Sequence, residues 1–193
     1  MITKHQLDGF YLTFPYEKHL ETKEQILQLI SEQPTLTYGG GNQIANLDWG
    51  RKSDWSRPWV QLFKPDFDLA MNQAAQKYGY LKAIINELWF QQYKKGNGHG
   101  WHSHGNNFTG VYYLDFPPNT PITELINPWL TKLNNLSNVD EKELIIPDVK
   151  EGDVLIFPSY VVHRAPMIKN DINKSIISFN MDFEFGCDEN ESQ

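Results

Sequence analysis

His102 and His104 stand two positions apart. Side chains alternate along an extended strand, so residues two apart leave the same face, and two imidazoles at that spacing can address one ion. His163 follows 59 positions after His104, behind a turn at Glu151-Gly152-Asp153 and an apolar run over residues 154–157. Two ligands from one strand and a third from a distant one form a metal centre when a folded barrel brings those strand ends together. Imidazole suits iron, zinc, copper and nickel. Three protein ligands on one side leave coordination positions open, which is the catalytic arrangement rather than the structural one. A His-x-His pair also recurs by chance on protein surfaces, so the weight falls on its context. His99, among glycines, reads as a loop histidine, and His5 and His19 read as solvated. No Ser-His-Asp or Cys-His arrangement is recognisable. Cys187 lies beside the acidic run Asp188-Glu189-Asn190-Glu191 and reads as incidental.

Holding such groups in place requires a folded core. The chain's 193 residues fit one domain spanning residues 1–193. Its aromatic share of 13% is more than a disordered chain carries. The net charge of −7 and a pI near 5.3 disfavour a nucleic-acid partner, because phosphate binding rests on clustered Lys and Arg. A single cysteine makes no internal disulfide and fits a reducing, cytoplasmic setting. Residues 1–6 contain no apolar leader core, and no stretch is long enough to span a bilayer, so no membrane partner is expected. No coiled-coil seam indicates an oligomeric state.

Two amphipathic helices are predicted in the first part of the chain. One covers residues 21–33, with Ile26, Leu27, Leu29 and Ile30 as its apolar stripe. The other covers residues 67–78, with Leu69, Ala70 and Ala74 facing inward. Between them, Gly39-Gly40-Gly41 marks a flexible turn. Residues 47–60, with Trp49, Trp55 and Trp59 among charges, read as an irregular packed loop that could wall a substrate site. From about residue 83 the pattern changes to strands at 84–93, 101–104, 109–116, 154–157 and 176–183, separated by Gly and Pro turns. Residues 122–144 are polar with scattered leucines and read as an insertion of helix and loop. The expectation is a mostly β, α+β molecule: helical support over residues 1–82 and an antiparallel sandwich or barrel over about 83–185.

The run Pro147-Asp148-Val149-Lys150-Glu151-Gly152-Asp153-Val154-Leu155-Ile156-Phe157-Pro158-Ser159-Tyr160-Val161-Val162-His163 resembles the second half of the cupin-like site of 2-oxoglutarate oxygenases. Gly152 permits the tight turn, and Pro158 stops ladder pairing so that the chain can aim His163 inward. Upstream, Tyr93-Lys94-Lys95-Gly96-Asn97-Gly98-His99-Gly100-Trp101-His102-Ser103-His104 followed by Thr109-Gly110-Val111-Tyr112-Tyr113-Leu114 resembles the first half. Lys174-Ser175-Ile176-Ile177-Ser178-Phe179-Asn180 resembles the closing strand. Together these blocks are similar to prolyl-hydroxylase-like enzymes, especially a small branch of bacteria and phages, over roughly residues 87–183.

The resemblance implies a double-stranded β-helix, the jelly-roll or cupin-like core. It also implies an Fe(II)- and 2-oxoglutarate-dependent dioxygenase that uses O₂ and couples decarboxylation of 2-oxoglutarate to oxidation of a substrate C–H bond. His102 and His163 would be metal ligands, with His104 where the wider superfamily has Asp or Glu and the small branch has His. Lys174 would pair with the distal carboxylate of 2-oxoglutarate, where Arg is more usual. Tyr113 would add a hydrogen bond to that carboxylate, and Tyr93 would reach the end nearer the metal. Ile176 replaces a serine of the family pattern. The substrate would be peptidyl or a small molecule. Two other readings share parts of the pattern: a three-histidine metalloenzyme that needs no keto acid, and a non-catalytic binding module on the same scaffold.

Overall fold

The computed structural model describes residues 2–6, 10–34, 44–128 and 144–185. In chain order the elements are β1 (Thr3–Gln6), β2 (Phe10–Pro15), α1 (His19–Ser31), β3 (Asn46–Leu47), a 3₁₀ turn (Trp49–Arg51), α2 (Pro58–Lys77), β4 (Lys82–Tyr93), β5 (His99–His102), β6 (Phe108–Asp115), β7 (Glu124–Ile126), β8 (Leu144–Ile145), β9 (Asp153–Pro158), β10 (His163–Ala165) and β11 (Lys174–Glu184). They form a major sheet in the order β1-β2-β9-β6-β11-β4-β3 and a minor sheet in the order β5-β10-β7-β8. All the ladders are antiparallel. This is the expected double-stranded β-helix with two supporting helices.

The period of two in the long central strands divides their side chains between two cores. Leu88 and Phe90 of β4, Tyr112 and Leu114 of β6, and Ile177 and Phe179 of β11 face the helices, where they pack on Trp59, Phe63 and Phe67 of α2. The alternate residues Tyr93, Val111, Tyr113 and Ile176 face the minor sheet and pack with Leu125, Phe157 and Val161. A sheet covered on both faces carries apolar residues at nearly every position, which is why the middles of β6 and β9 read as continuous hydrophobic runs.

Two glycines are fixed by geometry. Gly152, at φ +86°, makes the turn into β9, and a Cβ there would lie 3.0 Å from the His19 ring. Gly110, mid-strand in β6, lets the Phe179 ring cross directly over the backbone; a Cβ would lie 2.2 Å from that ring and 2.7 Å from the Leu155 carbonyl.

Several expectations need correction. Residues 1–82 are not purely helical support, because β1 and β2 extend the major sheet and β2 pairs with β9. The stretch 47–60 is not irregular throughout. α2 begins at Pro58, where proline's fixed φ suits the first helical turn, and Trp59 is fully buried. Leu69 is 57% exposed rather than inward-facing. The insertion after residue 122 contributes β7, which pairs with β10, while residues 129–143 lie outside the described residues. So do Gly39-Gly40-Gly41 and Cys187. His19 is buried rather than solvated, with Nδ1 2.7 Å from the Tyr112 hydroxyl. His5 stands in β1. Among the described residues no helix is long and apolar enough to cross a membrane.

Candidate metal centre

β5 and β10 lie side by side in the minor sheet, and their register sets His102 directly opposite His163. His104 lies two residues beyond the end of β5, not on the strand as the sequence suggests. It returns to the cluster because its backbone N–H donates to the Ser159 carbonyl at 2.9 Å, just past the end of β9. Pro158 closes that strand, and Val161 N–H bonds back to the Pro158 carbonyl at 3.0 Å, forming the turn that delivers His163. The ring centroids of His102 and His163 are 4.2 Å apart, and each is within 5.1 Å of His104. One ring nitrogen from each of the three lies within 4.8 Å of the others.

The tautomers of two rings follow from their partners. The Nδ1 atoms of His102 and His163 contact the carbonyls of Gly100 at 2.7 Å and Val161 at 2.9 Å. A carbonyl only accepts, so both Nδ1 atoms carry the proton and both Nε2 atoms present a lone pair, as in metal-ligating histidines. Burial, and then the neighbouring His102, push the His163 ring down to about 2. Burial and His102 push His104 down to about 4. Burial lowers His102, with the Gly100 carbonyl opposing. Neutral rings bind metal, so the cluster is in its ligating form at neutral pH.

The cluster opens on a pocket of about 360 Å³ between the sheets. One wall is the inward face of the β4–β11 ladder, whose cross-strand rungs pair Glu87 with Asn180, Trp89 with Ser178, Gln91 with Ile176 and Tyr93 with Lys174. At one end the Trp89 ring lies 6.1 Å from His104. At the other, Lys174 is only 2% exposed. Its ammonium donates to the Pro121 carbonyl at 3.2 Å and lies 4.8 Å from the centre of the Tyr93 ring. No carboxylate pairs with it among the described residues, and burial lowers its pKa to about 8. The Tyr93 hydroxyl is buried without a hydrogen-bond partner among the described residues. The Tyr113 hydroxyl already donates to Thr123 Oγ1 at 3.0 Å, and Thr123, not Tyr113, lines the pocket. Lys174 lies behind Tyr93 rather than in the lining itself.

The sequence reading missed two groups. His99 stands on β5 with its ring 3.9 Å from that of His102, and it lines the pocket instead of sitting in a loop. The polar face of β4, Glu87 and Gln91, was also missed. Its signal was the even spacing of these two polar residues, four apart along one strand, which places both on one face. Trp49, 43% exposed, stands at the pocket wall.

A helix-backed pair of antiparallel sheets is the double-stranded β-helix fold of solved iron(II)- and 2-oxoglutarate-dependent oxygenases, and here His102, His104 and His163 cluster beside its pocket. Residues 87–180 match the family model described as "Putative 2OG-Fe(II) oxygenase", so this stretch of the chain is similar to that family. Among solved structures, the viral collagen prolyl hydroxylase of Paramecium bursaria Chlorella virus-1, in its 2-oxoglutarate complex, is similar at 15% identity and TM-score 0.59, covering 92% of this chain and 98% of that one. HygX from Streptomyces hygroscopicus, with nickel and 2-oxoglutarate bound, is similar at 12% identity and TM-score 0.65, covering 89% and 82%. A prolyl hydroxylase from Trichoplax adhaerens, in complex with a hypoxia-inducible-factor peptide fragment, is similar at 13% identity and TM-score 0.60, covering 89% and 83%. No curated protein sequence matches the chain.

Proposed function

We propose that His102, His104 and His163 hold iron(II), and that Lys174 anchors the distal carboxylate of 2-oxoglutarate, in an oxygenase that oxidises a C–H bond of a peptidyl or small-molecule substrate in the cytoplasm. The observation that carries this reading is the Lys174 ammonium, buried without a carboxylate partner among the described residues, on the same sheet face as the pocket. A buried charge is costly unless paired, and a dicarboxylate ligand supplies the missing anion. The donor set fits as well: three neutral imidazoles suit a first-row divalent metal and leave coordination positions open. The Tyr93 hydroxyl, without a partner among the described residues, sits on the rung of Lys174 and would serve the distal end of the cosubstrate rather than the end nearer the metal.

When bound, iron and 2-oxoglutarate together supply the oxidising power, with O₂ consumed and succinate and CO₂ released. The chain's own residues bind and orient. The Nδ1–H bonds to Gly100 and Val161 fix the two rings. Leu125, Phe157 and Val161 exclude water behind the cluster. Lys174 sets which way a dicarboxylate lies, and no side chain needs to act as a general base. The Trichoplax relative's peptide complex supports a peptidyl substrate by analogy.

The test is a set of anaerobic titrations of the purified chain with Fe(II) and then 2-oxoglutarate, followed by succinate release in air. His163→Ala is expected to lose the metal. Lys174→Ala is expected to keep the metal and to bind 2-oxoglutarate about 30- to 150-fold more weakly, the worth of about 2–3 kcal/mol for a charge-assisted bond. Stoichiometric iron with no 2-oxoglutarate binding would support a three-histidine enzyme that needs no keto acid. No metal at all, with His102→Ala and His163→Ala behaving as the parent, would support a binding module.

A further inference from the structure

Between the Tyr93–Lys174 rung and the Trp89–Ser178 rung of the β4–β11 ladder lies the pair Gln91 and Ile176, both lining the pocket. Ile176 brings no polar atom, so Gln91 is the polar group of its rung. Its side chain is 6% exposed. The Oε1 atom accepts from the Ser178 hydroxyl at 3.0 Å. Among the described residues the Nε2 group has no acceptor, and it is not one of the sealed, unpartnered buried atoms, as the Tyr93 hydroxyl and the Trp89 indole N–H are. Gln91 thus lines the pocket with an amide donor that has no acceptor among the described residues. One rung, about 7 Å along the strand, separates it from the level of the Lys174 ammonium. The next rung carries Trp89, whose ring lies against His104.

We infer that Gln91 is a binding residue for the keto-acid end of the cosubstrate, donating through Nε2 to the carboxylate nearer the metal while Lys174 takes the distal one. This rests on the proposed function above and deepens it. The chemistry is one of sign: a carboxylate accepts, Gln91 offers a donor, and Ser178 occupies the amide's own acceptor and holds the plane of the group. A bound anion thus meets a charge at one end and a neutral, pre-aimed donor at the other. The assignment also gives Ser178 a function as a positioning residue.

The experiment is anaerobic titration of the Fe(II)-loaded full chain with two keto acids, 2-oxoglutarate and 2-oxovalerate, which lacks the distal carboxylate. Binding is followed by the charge-transfer absorption and, on the Zn(II)-loaded chain, by thermal shift. Gln91→Leu is expected to weaken both keto acids by a similar factor, on the order of tenfold. Gln91→Glu is expected to weaken both further, because it sets a carboxylate against an anion. Lys174→Ala should weaken 2-oxoglutarate alone. Ser178→Ala, a smaller change in the fold, should weaken both keto acids less than Gln91→Leu. Iron affinity should be the same in all four variants. If the wild-type chain binds 2-oxoglutarate and the Gln91 variants bind both keto acids as it does, the assignment is wrong and the oxygenase reading stands. A loss confined to 2-oxoglutarate would also overturn it by moving Gln91 to the distal end. If the wild-type chain binds neither keto acid, both the assignment and the reading beneath it fall.

Discussion

Lys174 carries a cost that the proposed binding of a carboxylate would explain. Its folded-state pKa is about 8 against 10.5 for an unburied lysine, with burial as the cause. The unfolded chain therefore holds its proton more tightly between pH 8 and 10.5. The metal-free protein should gain stability as pH rises through that window, with a full penalty at neutral pH of about 3 kcal/mol. Lys174→Met, which fills the same space without charge, is expected to stabilise the ligand-free protein at pH 7 by up to that amount in urea denaturation, while 2-oxoglutarate affinity falls. A destabilised Lys174→Met protein would mean that the ammonium is already well satisfied. The histidines behave in the opposite pH range. With folded values of about 2 for His163 and about 4 for His104, against 6.5 unfolded, the stability they contribute is present above 6.5 and is lost as pH falls below it. Each depressed histidine contributes a slope of up to about 1.4 kcal/mol per pH unit. The urea midpoint of the metal-free chain should therefore drop between pH 6.5 and 5. His163→Ala should flatten that drop, and an unchanged pH profile in this variant would show that the ring is not buried as described.

The elements that position these residues can be tested separately from the chemistry. Asp48 sits at the start of the 3₁₀ turn that carries Trp49 to the pocket wall. It accepts from Arg57, from the Trp59 indole at 3.0 Å and from Phe90 N–H at 2.9 Å, tying that turn and α2 to β4. Both charges of the Asp48–Arg57 pair are almost wholly buried. Asp48→Ala would strand the guanidinium, at a cost of about 3–5 kcal/mol in a denaturation experiment. Replacing both partners with apolar residues should cost much less, and equal losses for the single and double variants would argue against the pair. The long strands β4, β6, β9 and β11 were legible in the sequence because each is a β-branched and aromatic run bounded by Gly, Pro or Asp. The clustered histidines His102 and His163 were legible from their strand-end context. What was not legible is physically of another kind. β7, β8 and β10 have two or three residues, too few to show a period. β1 is the polar run Thr-Lys-His-Gln, a strand only because β2 offers it an edge. His99 looked like a loop residue because glycines flank it, yet the ladder with β10 reaches back to it. Gln91 needed its cross-strand partner to be known before its amide meant anything.

The two sheets supply different halves of the site. His102 and His163 belong to the minor sheet, whereas Lys174, Tyr93 and Gln91 belong to the major one. Apolar side chains such as Leu125, Phe157 and Val161 hold the two layers together behind the pocket. A metal at the histidines would cross-link β5, β10 and the segment after β5, and a keto acid bound to it would then bridge the two sheets. Because such ligands bind only the folded chain, saturation at a hundred times the dissociation constant adds about 2.7 kcal/mol. For a chain of this size that raises the melting temperature by roughly 5–10 °C. The bridging geometry predicts more than a simple sum. 2-Oxoglutarate should add little without metal and a further rise with it, and the gain should be localised. Hydrogen exchange should slow at the backbone amides of β5, β10 and the amino-terminal end of β11, while β1 and the β2 edge beside it, remote from the site, should exchange as before. Zn(II) in place of iron permits the measurement in air without turnover. Protection spread evenly over both sheets would mean that the ligands stabilise the fold globally and do not bridge its layers. Protection confined to β5 and β10, even with keto acid present, would mean that the anion never reaches the major sheet, and Lys174 would lose the function assigned to it.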